Sequence, residues 1–208
     1  MTELSASNPG QPRYIAVEGP IGVGKTSLSK RLADTFNYDL LLEKAEENPF
    51  LERFYQDPAR HALSTQLFFL FQRSQQLGEL HQNELFGQGY IADYLFQKDP
   101  LFARLTLDNN ELELYQKVYQ QIAVDVPTPD LVIYLQAPAK VLKERVQQRG
   151  IAFERNIDLR YLEQVNEAYS EFFFDYQASP LLIVNAEEID FAHNDRDYQQ
   201  LLDYLLEI

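Results

Sequence analysis

The run Gly19-Pro20-Ile21-Gly22-Val23-Gly24-Lys25-Thr26-Ser27 limits what this chain can become more than any other segment. From Gly19 to Thr26 it matches GxxxxGK[ST] at every fixed position, and it sits between a short apolar stretch, Tyr14 to Glu18, and a stretch with Leu28, Leu32 and Phe36 at helical spacing. A strand, a glycine turn and a helix in that order aim backbone N–H groups inward and add the positive end of a helix dipole, which together hold phosphate. Lys25 is then placed to reach the outer phosphates, and Thr26 to ligate Mg²⁺. In a chain of this composition the pattern arises by chance on the order of once in a thousand sequences. The expectation is a nucleoside triphosphate site built from residues 19 to 27.

Strand-like and helix-like segments alternate along the whole chain, the pattern of a parallel sheet covered by helices. Strands are predicted at 14–18, 39–43 (DLLLE), 89–93 (GYIAD), 131–135 (LVIYL) and 181–184 (LLIV). The unbroken apolar LVIYL reads as a strand buried on both faces. Helices are predicted at 25–36, from Asn48-Pro49, and at 59–86, 95–106, 110–124, 139–148, 159–176 and 195–207. The expected fold class is α/β, the P-loop NTPase three-layer sandwich, with a five-stranded parallel sheet flanked by helices and a basic lid. Residues 1–12, polar and turn-rich, read as a disordered leader, and residues 13–208 as a single domain.

Composition removes several classes of function. The 208 residues hold 18 Lys+Arg against 32 Asp+Glu, a formal charge of −14, which repels nucleic-acid phosphates and anionic headgroups. The absence of cysteine excludes disulfides, Cys-ligated zinc and thiol chemistry, and fits a reducing cytosol. His61, His81 and His193 are too scattered for a metal cluster. The longest apolar run, Leu67 to Phe71, falls far short of the about 20 residues that span a bilayer. A cytoplasmic protein with small-molecule partners, and with neither nucleic acid nor membrane as partner, is expected.

Within the phosphate-loop proteins, the chain has no Asn-Lys-x-Asp string to read guanine, and LVIYLQA ends without the acid that motor and transporter ATPases carry there. The remaining large class transfers phosphate to a small acceptor, and needs an acceptor pocket and a basic lid. Residues 140–160 suit a lid, with the lid proper at about 145–157: Lys140, Lys143, Arg145, Arg149, Arg155 and Arg160 face three acids, a local charge of +3 in an acidic chain. Arg145 and Arg149 are i, i+4 and share a helix face, where they could clamp phosphate oxygens; a basic helix end complementing the dipole is the plainer reading. On the helix over 59–86, Gln66 and Arg73 are about two turns apart and project from one face. With Phe69 and Leu70 between them they could form a slot for a planar base, although such a stripe also suits ordinary core packing. Glu43 and Asp93 each close a predicted strand, and so fall at the carboxyl edge of the sheet, where ligands of α/β folds bind.

Taken in order, VEGPIGVGKTS from Val17, the strand-ending Glu43, ENPFLERFY from Glu47 to Tyr55, the Gln66/Arg73 helix, Asp93 and the arginine-rich stretch after Lys140 resemble the deoxynucleoside kinase family over most of the chain. The resemblance implies phosphorylation of the 5′-hydroxyl of a deoxynucleoside with ATP as donor and Mg²⁺ as cofactor, in a homodimer. It implies that Glu43 accepts the proton of the attacking hydroxyl and that Lys25, Arg145 and Arg149 stabilise the charge in transfer. It places Tyr55 on the sugar 3′-hydroxyl, Glu154 on the sugar, and Gln66 and Arg73 on the base. Asp93 serves Mg²⁺, and Asp99 pairs with Arg73 and senses an exocyclic group of the base. This sequence departs from the family pattern at Tyr94, where a signature arginine is expected, and at Ile151, where a lid arginine is expected; Lys98 and Arg155 are the nearby substitutes.

Two other functions fit the phosphate loop. A nucleoside monophosphate kinase of the thymidylate type would need extra cations in the acceptor pocket, whereas the region from Glu47 to Arg73 is rich in aromatic residues and carries as many acids as arginines. A non-catalytic ATP-binding regulator would bind ATP without nucleoside-dependent ADP release. Under the kinase reading, Glu43→Gln folds and binds both substrates, yet its kcat falls by about a hundredfold or more, because positioning survives and proton acceptance does not. Steady-state kinetics with substrate-binding titrations check this.

Overall fold

Five short strands form one fully parallel sheet in the order β2-β3-β1-β4-β5 in the computed structural model, which describes residues 12–83, 89–123, 126–155, 157–191 and 194–207. They are β1 (Tyr14–Glu18), β2 (Asp39–Leu41), β3 (Tyr90–Ala92), β4 (Leu131–Gln136) and β5 (Leu181–Asn185). The helices are α1 (Lys25–Phe36), α2 (Leu51–Gln56), α3 (Pro58–Asn83), α4 (Asp99–Thr106), α5 (Asn109–Ile122), α6 (Ala139–Arg149), α7 (Leu159–Phe174) and α8 (Asp195–Glu207). Ile15 of β1 registers with Ile91 of β3 on one side and Leu131 of β4 on the other, so the strand preceding the phosphate loop is central.

Strand side chains alternate between two cores, as the period of two requires. Ile15, Val17, Ile91, Leu131, Ile133 and Leu135 face the layer of α1, α6 and α8, where Leu28, Leu32, Leu142, Val146 and Leu201 are buried. Tyr14, Ala16, Tyr90, Ala92, Val132 and Tyr134 face the layer of α3, α4, α5 and α7, an aromatic core in which Tyr134 stacks on Phe173 with ring centroids 4.0 Å apart. Helices on both faces of a parallel sheet are the expected three-layer sandwich. The apolar residues of α3 are explained by this second core, since Leu70 and Leu77 are fully buried in it and Leu63 and Leu67 pack against it.

Some boundaries differ from expectation. β2 and β3 stop at Leu41 and Ala92, so Glu43 and Asp93 lie just past their strands. The helix expected from Leu95 begins as a 3-10 turn, Phe96–Lys98, and becomes α-helical only at Asp99, because Pro100 suits the first turn of a helix and not its interior. At Asn48-Pro49 no helix starts directly; Asn48 Oδ1 accepts the Phe50 N–H at 3.0 Å and α2 follows from Leu51. The long helix starts at Pro58, and its expected residues 84–86, like residue 124 of the helix expected at 110–124, lie outside the described residues. So does the leader over 1–11; Pro12 carbonyl accepts the Tyr38 hydroxyl at 3.0 Å. Among the described residues no helix is long and apolar enough to cross a membrane.

Ile133 lies in β4, between β1 and β5, with no exposed surface. Ile133→Ala is therefore expected to destabilise the fold by about 2–5 kcal/mol, read as a lower midpoint with unchanged slope in urea unfolding.

Candidate active site

Three neighbouring strands end at one edge of the sheet, and each delivers a charged group there. β1 runs into the glycine loop, β2 is followed by Glu43, and β3 by Asp93. Gly22 has φ +83, and a Cβ there would meet Leu142 O and Val146 Cγ2 at 2.9 Å, so only glycine lets the loop lie against α6. Lys25, at the start of α1, donates from Nζ to Gly19 O at 2.7 Å and to Pro20 O at 3.3 Å, folded back over the loop it belongs to. Burial and the neighbouring Lys98 ammonium lower its pKa, against the pull of Glu18, Glu43 and Asp93.

Thr26 Oγ1 donates to Asp93 Oδ2 at 2.5 Å, and Asp93 Oδ1 accepts the Glu43 N–H at 2.7 Å. Asp93 therefore ties α1 to the segment after β2, and it is Leu95, not Asp93, that precedes the following 3-10 turn as its cap. Burial raises the Asp93 pKa against these two hydrogen bonds. A hydroxyl and a carboxylate oxygen so close are two hard ligands of the kind Mg²⁺ takes while keeping waters and phosphate oxygens. Among the described residues no three His, Asp or Glu gather into a protein-only metal site, which such a cation does not need.

Glu43 is held by Arg73 of α3, whose Nε donates to Oε1 at 2.8 Å and whose Nη2 donates to the same oxygen; Arg73 Nη1 donates to Asp99. The Arg73 and Asp99 pairing is thus as expected. Burial pushes the Glu43 pKa up, but Arg73, Lys98 and Lys25 outweigh it and hold the carboxyl down at about 2. Lys98, 2% exposed, has Nζ 3.1 Å from Glu18 Oε2 and 3.7 Å from Glu43 Oε1. Tyr94, where an arginine is expected, is buried and donates its hydroxyl to Gln76 Oε1 at 3.0 Å.

Beside these groups a cleft opens between α2, α3 and α7. Of the residues singled out from sequence, Gly19, Ile21, Lys25, Glu43, Tyr55, Gln66, Phe69, Arg73, Lys98 and Glu154 line it. Gln66 Nε2 donates to Thr106 Oγ1 at 3.4 Å, and the Arg73 guanidinium lies over the Phe69 ring, 4.8 Å from its centroid. Leu70 is corrected: it does not line the cleft, because one residue further round α3 its side chain turns into the core beside Leu77. Asp99 also lies behind the lining, buried, with Oδ2 lacking a hydrogen-bond partner among the described residues. Tyr55 stacks on Phe153 with ring planes 9° apart, and burial raises its pKa, so it stays a neutral phenol.

The basic segment is α6 followed by Gly150 in a left-handed cap (φ 73) and a 3-10 turn, Ala152–Glu154. Arg149 Nη2 donates to the buried Glu154 carboxylate at 2.5 Å, while Arg145 Nη2 donates to Glu187 O at 3.1 Å. The two arginines share a helix, but each is held by a different protein group. Lys143 Nζ donates to Ile157 O, closing the turn.

Sequence reasoning passed over Glu18, Phe102, Tyr161 and Tyr169. Glu18 is wholly buried: Oε1 accepts the Gly19 N–H at 2.7 Å and the Tyr169 hydroxyl at 2.8 Å, and Oε2 accepts the Leu95 N–H at 2.7 Å. An acid closing an apolar strand directly before a glycine loop was the signal available for it. The aromatic residues lie on α4 and α7, far along the chain from the motifs, and only the packing of those helices brings them to the cleft.

The family model described as deoxynucleoside kinase matches residues 15–208. A deoxyguanosine kinase of Bacillus subtilis is 36% identical over 200 residues, covering 94% of this chain and 97% of the relative. A deoxyadenosine/deoxycytidine kinase of the same organism is 27% identical, covering 93% and 92%. The solved structure of a deoxyadenosine kinase from M. mycoides, with products dCMP and a flexible dCDP bound, superposes with a TM-score of 0.81 at 28% identity, covering 94% of this chain and 100% of that one. A phosphate loop, two acids past adjacent strand ends and a cleft lined by Tyr55, Gln66, Phe69 and Arg73 thus occur in a chain whose similarity runs almost end to end: it belongs to the deoxynucleoside kinase family.

Proposed function

We propose that this chain transfers the γ-phosphoryl group of ATP to the 5′-hydroxyl of a 2′-deoxynucleoside bearing an exocyclic amine, with deoxyguanosine the first choice of acceptor. The observation that carries this reading is the convergence of the loop, Glu43 and Asp93 on one sheet edge beside the cleft lined by Tyr55, Gln66, Phe69 and Arg73. The choice of deoxyguanosine is supported by the 36% identity to a relative of that name over nearly its whole length.

ATP phosphates sit on the loop, where the backbone N–H groups of residues 19–27 and Lys25 hold them, and the Nζ bonds of Lys25 to Gly19 O and Pro20 O give way to phosphate oxygens. Thr26 and Asp93 would hold Mg²⁺, which supplies charge neutralisation at the β- and γ-phosphates. Glu43, kept ionised by Arg73, orients the nucleoside hydroxyl and takes its proton as the new bond forms. Tyr55 and Glu154 meet the sugar, and Gln66 and Arg73 the base, stacked against Phe69. Arg73 has carboxylates on both sides, Glu43 and Asp99, so the cleft suits a neutral acceptor better than a nucleoside monophosphate. Arg145 and Arg149 exchange their protein partners for phosphate oxygens as the 145–157 segment closes over ATP, and the adenine lies against the 185–194 segment to which Arg145 is bonded.

The protein is further proposed to be a cytoplasmic homodimer. Leu105, Leu114 and Phe174, which are exposed on α4, α5 and α7, support self-association. Light scattering should give twice the chain mass at micromolar concentration.

The acceptor panel tests the reaction. Purified protein with Mg²⁺-ATP and each nucleoside or nucleoside monophosphate in turn should release ADP with deoxyguanosine, less with deoxyadenosine and deoxycytidine, and not with thymidine monophosphate. Preference for a monophosphate, or ADP release independent of nucleoside, would refute the reading.

A further inference from the structure

The charges at the sheet edge are not all spoken for by the reaction as derived above. Arg73 spends its guanidinium on Glu43 and Asp99, and Lys25 belongs to the loop. Lys98 is a third buried cation, and it arrives from a separate element, the 3-10 turn after β3. Glu18 fixes it there, with Oε2 and Oε1 at 3.1 and 3.3 Å from Nζ. Glu18 is itself held by the N–H of Gly19, the first residue of the loop, by the N–H of Leu95 and by the hydroxyl of Tyr169. The Lys98 ammonium is therefore positioned rigidly with respect to the phosphate loop.

Its other neighbours are Glu43, whose Oε1 is 3.7 Å away, beyond hydrogen-bond length, and the Phe102 ring, with its centroid at 5.8 Å. An ammonium carries three N–H groups, and Glu18 can take two. One donor is left over, and Lys98 lines the acceptor cleft together with Lys25 and Glu43. A bare structural ion pair would not need to border that cleft. A group of this kind is useful where negative charge passes from a triphosphate to an oxygen held by Glu43.

We propose that Lys98 is a catalytic residue of the transfer, its remaining N–H donating to the oxygens of the phosphoryl group as it moves between ATP and the acceptor. The inference rests on the kinase reading above. In the step, the acceptor O–H proton goes to Glu43 and the acceptor oxygen bonds to the γ-phosphorus. The bond from that phosphorus to the bridging oxygen breaks, and its electron pair leaves with ADP. Lys98 keeps its proton throughout and nothing is oxidised or reduced.

Removing Lys98 alone strands the buried Glu18 charge and endangers the fold. The test therefore uses Lys98→Gln, whose amide can still donate to Glu18, and the double variant Glu18→Gln with Lys98→Met, which removes both charges. Lys98→Arg serves as the conservative control. The double variant, which leaves no unpaired charge, is expected to melt within about 5 °C of wild type, and Lys98→Gln about 5–15 °C lower but still folded at assay temperature, because its amide donates to Glu18 without neutralising it. Their kcat should fall by about a hundred- to a thousandfold, with the nucleoside KM within about threefold, because the contact is made in the transition state. Lys98→Arg should recover at least about tenfold of that loss. Folded neutral variants whose kcat stays within about threefold of wild type would overturn the proposal, as would failure of both to fold, since the ammonium would then be accounted for by the fold alone. A wild-type protein that transfers phosphate while the variants keep pace sinks only this inference; a wild-type protein that transfers nothing sinks the kinase reading beneath it.

Discussion

Buried carboxylates cannot stand alone, and that constraint organises one whole edge of this protein. Glu18, Asp93 and Asp99 are nearly or wholly inaccessible to water, and Glu43 is largely so. Desolvating charged groups costs several kcal/mol each, and the cost is recovered only through close partners. The partners come from everywhere in the chain: Lys98 from the turn after β3, Arg73 from α3, Tyr169 from α7, Thr26 from α1. Four elements distant in sequence are thereby locked to the ends of three strands.

The consequence for chemistry is that the Glu43 carboxylate is fixed in place and in charge by its partners. Glu43 is held ionised by surrounding cations, so the role of proton acceptor proposed for it would rest on position and not on high basicity. That suits a phosphoryl transfer with a loose transition state, in which the hydroxyl keeps its proton until late. The acidic exterior, with a formal charge of −14, contrasts with a cleft where Lys25, Arg73 and Lys98 converge. Long polyanions are repelled by the surface as a whole, while a small nucleotide meets only the local field.

The sequence was most legible where local chemistry dictates structure. The range of α1 from Lys25 to Phe36 and of β1 from Tyr14 to Glu18 follow from glycine placement and apolar spacing, and the structure has them at those residues. The two acids past β2 and β3 could be read as edge residues because parallel strands present their carboxyl ends together. Legibility ended where a residue's meaning depends on which way its neighbours pack. Leu70 and Phe69 are adjacent on the same helix, yet one faces the core and the other the cleft, a difference of about 100° that a sequence stripe does not resolve. Glu18 was hidden because its partners, Leu95, Lys98 and Tyr169, lie roughly 80 to 150 residues away. Arg145 and Arg149 shared a face as their spacing says, but spacing could not tell that Glu187 and Glu154 would engage them separately.

The contact between Gly22 and α6 has a mechanical meaning. With the missing Cβ as the only clearance, the loop backbone rests directly on Leu142 and Val146, in the middle of the helix that ends in Arg149 and Gly150. Protein interiors transmit displacement because they are close-packed. The loop backbone and the stem of the basic segment therefore share one contact with no spare room in it, so a displacement of either is felt by the other.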